Sequence, residues 1–126
     1  MKKYLNIVLI IFFISFINYS CSNDKPMLKK PLNKCTSKDL LEYGRSLFNA
    51  GYYRDAIREY RKVIGTFPDN KNDCAWAQYE LAYSYYYMGE YKIALREFKK
   101  VKQLYPEVRG AVILAQKMIK KILVNM

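Results

Sequence analysis

Between residues 37 and 124, apolar side chains return every three or four positions, and glycine and proline cut the pattern into segments. That spacing puts them on one side of a helix. Leu40, Tyr43, Gly44 and Leu47 form the first stripe. Thr36-Ser37-Lys38-Asp39 opens it as a capping box, in which Thr36 accepts from the backbone and Asp39 reaches back. Gly51 stops this helix. A second is predicted from Tyr53 to Thr66, ending at Pro68, because proline cannot continue a helix. After a polar turn, Asp69 to Asp73, a third is predicted from Cys74 to Met88 and a fourth from Tyr91 to Leu104, separated by Gly89 and closed by Pro106. A fifth, Val108 to Val124, carries Val112, Ala115, Ile119 and Ile122 on one face, with Lys117, Lys120 and Lys121 away from it. No strand pattern appears after residue 20, so the fold class predicted is all-α.

The first two helices and the next two are copies. Gly51, Ala56, Tyr60 and Pro68 recur 38 residues later as Gly89, Ala94, Phe98 and Pro106. A unit of that length cannot bury its apolar face alone, so stacked copies must share a core. Two repeats, 37–70 and 74–107, with a capping helix at 108–124, make one domain over 37–126.

The N-terminus adds an address. Lys2 and Lys3 precede the apolar run Leu5 to Ile17, which is shorter than the roughly 20 residues that a membrane-spanning helix needs. Ser20 stands before Cys21, and polar residues follow at once. This resembles a bacterial lipoprotein signal, although Asn18 and Tyr19 stand where that family prefers leucine and a small residue. The resemblance implies removal of residues 1–20, lipid on Cys21 and a location in the bacterial cell envelope. A soluble secreted protein is the other reading. Residues 21–36 hold Pro26, Pro31 and lysines 25, 29, 30 and 34, which predicts a flexible basic tether after the lipidated cysteine.

The chain has 126 residues and a net charge of +11. In an exported protein such an excess points to anionic lipid or acidic envelope partners rather than nucleic acid, or simply to solvated helix faces. Cys35 and Cys74 remain after Cys21, a candidate disulfide in an oxidising compartment, each standing just before the first helix of its repeat. Two cysteines without histidine close no metal site, so neither metal nor other cofactor is expected. An enzyme is disfavoured as well: the chain lacks histidine and a Gly-rich phosphate loop, and Asp55 and Glu59 are expected on a solvated face.

The repeat resembles the tetratricopeptide repeat, two antiparallel helices in about 34 residues. The matching residues are Gly44 and Ala82 (small, at the helix crossing), Leu47 and Tyr85 (large), Gly51 and Gly89 (turn) and Tyr53 and Tyr91 (aromatic). Ala56 and Ala94, Tyr60 and Phe98, and Pro68 and Pro106 complete the set. Leu40 and Gln78 replace the family's tryptophan, and the longer period with a Phe-Pro or Tyr-Pro ending resembles the branch containing the lipoprotein of the outer-membrane β-barrel assembly machinery. The resemblance implies two stacked hairpins and a capping helix in a short right-handed superhelix.

It also implies a concave groove lined by the first helix of each repeat. There the second repeat offers Trp76, Tyr79, Tyr83, Tyr86 and Tyr87. Tyr79 and Tyr86 stand where packing aromatics are common in the family. Trp76 and Tyr83 do not, and tyrosine and tryptophan concentrate binding energy at interfaces. The first repeat offers Lys38, Leu41, Glu42, Arg45 and Phe48, with Arg45 suited to a partner's carboxylate. The expected function is a membrane-anchored scaffold that binds a protein or peptide segment during envelope assembly or complex tethering. Self-association through the open ends is the alternative, since such arrays usually need about three repeats for stability.

Overall fold

The computed structural model describes residues 24–126; the signal-like segment and Cys21 lie outside them. Five α-helices follow one another: α1 Ser37–Asn49, α2 Tyr53–Thr66, α3 Lys71–Tyr87, α4 Tyr91–Leu104 and α5 Arg109–Asn125. A short 3₁₀ turn, Leu32–Lys34, precedes them. No strand occurs among the described residues, and no helix there is long and apolar enough to cross a membrane. The all-α fold of two hairpins and a C-terminal helix is the one the sequence predicts.

Local chemistry sets the ends of the helices. The capping box is present: the Asp39 N–H donates to Thr36 Oγ1 at 3.2 Å, and the Thr36 N–H donates to the Asp39 carboxylate at 2.9 Å. Between α1 and α2, and again between α3 and α4, the chain reverses through Gly51 and Gly89 at φ of 84° and 77°. A side chain at either position would crowd the backbone in that left-handed conformation, and glycine does not. α3 begins earlier than expected, at Lys71. Asn70 accepts from the Asp73 N–H, and the polar turn becomes the first turn of the helix.

Each hairpin closes on small residues. Ala56 and Ala94 are fully buried, and Tyr60 and Phe98 fill the space between the helices they join. α3 is shared by the two hairpins, with Ala77 and Leu81 in the first core and Cys74, Ala75 and Ala82 in the second. A polar tie joins the starts of α1 and α3, where the Ser37 hydroxyl donates to Asp73 at 2.5 Å.

Four expectations are corrected. The candidate disulfide is not formed, and Cys35 and Cys74 are both free. With α3 starting at Lys71, Cys74 faces the core and donates to the Phe67 carbonyl at 3.2 Å, while Cys35 donates to the Pro31 carbonyl at 3.5 Å. Glu59 is not solvated. It and its counterpart Glu97 are buried, with Lys62 and Lys100 reaching over them at 2.8 and 2.9 Å.

The expected tether does not run free after Lys25. Lys25 pairs with Asp55 at 2.5 Å and Lys30 with Asp39 at 2.8 Å, and the Tyr43 hydroxyl donates to the Pro26 carbonyl at 3.2 Å. The buried strip of α5 is Ala111, Ala115, Met118 and Ile122, with Val112 and Ile119 only flanking it. Small Ala111 and Ala115 let α5 settle one strip of its surface onto the second hairpin, which turns other apolar residues outward.

Candidate partner-binding surface

α3 presents a near-continuous file of rings. Tyr79 stacks on Tyr83 with centroids 5.8 Å apart, Tyr83 stacks on Tyr86 at 6.1 Å, and Tyr83 meets Tyr87 edge-on at 5.0 Å. They meet because residues three and four apart share a helix face. The file continues onto other helices. Phe48, at the end of α1, lies 5.7 Å from Tyr83 and 5.2 Å from Tyr87. Tyr53 opens α2 and stands 5.2 Å from Phe48, and Tyr91 opens α4 and stands 5.5 Å from Tyr86. Lys121 on α5 brings its ammonium 5.2 Å from the Tyr86 ring. The result is an aromatic shelf across the ends of the hairpins where the glycine turns lie.

The predicted residues do not all share one situation. Tyr87 is 52% exposed, and Tyr83 and Tyr86 are half-buried beside it. The Tyr83 hydroxyl is pushed up to about 12, first by its bond with Tyr87 and then by burial. Tyr79 leans on Phe98 of α4 at 5.5 Å, and burial pushes its phenol up as well. Trp76 meets Tyr79 edge-on at 6.0 Å at the far end of the file, and a Cβ at Gly110 would come within 3.3 Å of its Cζ2, so the indole also forms part of the seat of α5. Leu41 is 5% exposed in the core of the first hairpin and offers a partner almost nothing.

Arg45 is not a free cation. Its Nε donates to Glu80 at 3.1 Å, from α1 to α3, so a partner's carboxylate there would also meet Glu80. Glu80, Tyr53 and Tyr91 complete the surface and were not singled out for it by the sequence. Glu80 stands four positions after Trp76 and three before Tyr83, a spacing that puts it on the same face. Tyr53 and Tyr91 carried a signal too, as the aromatics two residues past each turn glycine.

Such a surface suits a polypeptide more than a reacting small molecule. It offers ring faces for apolar contact, hydroxyls for backbone hydrogen bonds, and one internally neutralised ion pair. Among the described residues no three metal-ligating side chains gather into a group.

Residues 75–108 match the tetratricopeptide repeat family. The matched stretch holds most of α3 and all of α4, so the second hairpin is similar to that repeat, and the first hairpin reproduces its turn glycine and the 14-residue length of its second helix. No curated protein and no solved structure matches the chain. Tetratricopeptide repeats typically serve protein–protein interaction without catalysis, which agrees with a surface built of rings and hydroxyls.

Proposed function

We propose that this protein is a scaffold that binds a segment of a partner protein on the aromatic shelf of α3, held at a bacterial envelope membrane through lipid on Cys21. The shelf carries the reading. Rings from α1, α2, α3 and α4 adjoin one another there, and Tyr87 at their centre is 52% exposed. Interfaces draw most of their energy from a few such aromatic anchors. Leu41 belongs to the packing beneath, Trp76 joins the end of the shelf to α5, and Arg45 with Glu80 forms a polar edge that fixes register more than affinity.

The envelope address is supported by the sequence alone, by the basic start, the short apolar run and Cys21. The Phe-Pro and Tyr-Pro repeat endings, similar to those of the envelope branch of the family, favour a role in assembly or tethering there.

Two experiments test the two halves. A photo-crosslinking residue at position 87 should capture a defined envelope protein in cells, and Tyr83→Ala should weaken that capture at equal protein level. Capture of the same set of proteins from an unrelated exposed position, such as Lys92, would remove the shelf from consideration. Cys21→Ser should abolish acylation and release the chain from the membrane fraction; unchanged membrane retention would overturn the anchor.

A further inference from the structure

One side of α5 lacks the neighbour that its register calls for. α3 and α5 are both 17 residues long and start 38 positions apart. On α3, the side turned to α4 holds Ala75, Gln78 and Ala82. Ala75 and Ala82 share a core with Ala94 and Phe98, and Gln78 donates to the Glu97 carboxylate at 3.1 Å. Their counterparts on α5 are Ile113, Gln116 and Lys120, and no helix among the described residues covers them. Ile113 is 62% exposed and Leu123, the counterpart of Tyr85, is 57% exposed. Beside them a cleft of about 780 Å³ opens between α4 and α5, with Ile119, Leu123 and Val124 as its apolar part and Lys99, Lys102 and Lys120 as its charges. No carboxylate lines it.

We propose that this side of α5, with the α4–α5 cleft, docks an acidic amphipathic helix of a partner protein in the place where α4 lies against α3. The occupant is a helix because the seat repeats one that a helix already fills. It is acidic because α5 contains no Asp or Glu, and the single carboxylate of α4, Glu97, is buried. A second copy of this face would set lysine against lysine, which is repulsive. A planar membrane surface does not enter a cleft. Lys120 adds detail: it stands where Gly44 and Ala82 admit Tyr60 and Phe98, so an aromatic cannot approach there, whereas a carboxylate can pair with its ammonium. This surface is separate from the aromatic shelf and stands or falls without it.

The test titrates the full-length chain with two synthetic helical peptides. One carries leucine along one face and glutamate on its flanks; the other carries lysine in place of glutamate. The acidic peptide should bind at least about tenfold more tightly. Leu123→Ser and Lys120→Glu should each weaken it by about tenfold or more, with thermal melting unchanged, and Lys120→Glu should strengthen the lysine peptide. Equal binding of both peptides, or indifference of the acidic peptide to both substitutions, would overturn the proposal. So would a dimer that Leu123→Ser dissociates, or binding to phosphatidylglycerol vesicles that both substitutions abolish while neither peptide binds.

Discussion

The ring of Tyr60 lies where the side chain of residue 44 would be: a Cβ on Gly44 would come 2.5 Å from Tyr60 Cε1 and 2.8 Å from Cδ1. Tyr60 is fully buried, so the ring has nowhere to go. The first hairpin closes at this crossing, and the second does the same with Ala82 and Phe98.

Gly44→Ala should therefore destabilise the protein although alanine favours helix. Overpacking costs roughly 1–3 kcal/mol against a propensity gain of about 1 kcal/mol, so a net loss of up to about 2 kcal/mol is expected by urea unfolding. Gly65→Ala, in α2 with nothing within 4 Å of the new Cβ, should be neutral or gain up to about 1 kcal/mol. Equal effects would mean that the crossing is looser than it stands here.

The Tyr60 hydroxyl is buried without a hydrogen-bond partner. Because an unsatisfied buried hydroxyl costs about 1–3 kcal/mol, Tyr60→Phe should leave stability unchanged or raise it by about 1 kcal/mol. A loss above about 1 kcal/mol in the same unfolding assay would show that the hydroxyl has a partner.

Glu97 should make stability depend on pH. Burial alone would raise its carboxyl, but bonds from Lys100, Gln78 and Arg96 outweigh burial and leave it below the usual 4.5. A carboxyl with a lowered folded value contributes stability above its unfolded value and loses it as the pH falls through the folded one. Glu97→Gln should remove about 1–3 kcal/mol at pH 7 and much less at acid pH. Unfolding curves at pH 7 and pH 3 measure the difference.

Asp39 follows the same sign at the first helix cap. Its bond with Lys30, and then those from Thr36, bring it down to about 2 from the usual 3.8. Its contribution is complete above 3.8 and fades as the pH falls through about 2. Lys30→Ala should move the Asp39 titration, followed by NMR, back toward 3.8. Thr36→Ala should cost about 1 kcal/mol through loss of the cap.

The two described thiols should differ in reactivity. Cys74 is fully buried, and burial pushes its thiol up, whereas Cys35 is partly accessible. In a Cys21→Ser background at pH 8, one thiol should react promptly with a disulfide reagent and the second only on unfolding. Mild oxidation should form no bridge between the two. A mass shift showing a Cys35–Cys74 bridge would contradict the placement of Cys74.

Much of this fold was legible because its determinants are local. Thr36 and Asp39 cap a helix from within one turn, and Gly51 and Gly89 meet a backbone requirement at their own positions. The site was legible only as a list of rings on one helix. Periodicity said that Trp76, Tyr79, Tyr83 and Tyr86 share a face of α3. It did not say that Gly110 of α5 would stand against Trp76, or that Glu80 would neutralise Arg45.

The sequence by itself determined the helices, their turns and the aromatic side of α3, since each follows from neighbours a few residues away, and the repeat, since its copies match at a fixed offset of 38. The tertiary structure alone decided which helix surfaces are covered. In a stacked array a helix is covered on as many sides as it has neighbours, and periodicity reports only the apolar side. That is why Glu59 and Glu97 are buried under lysines while Ile113 and Leu123 remain exposed. Lys62 and Lys100 close over the first pair, with Gln78 of α3 also against Glu97, and no helix among the described residues covers α5 on that side.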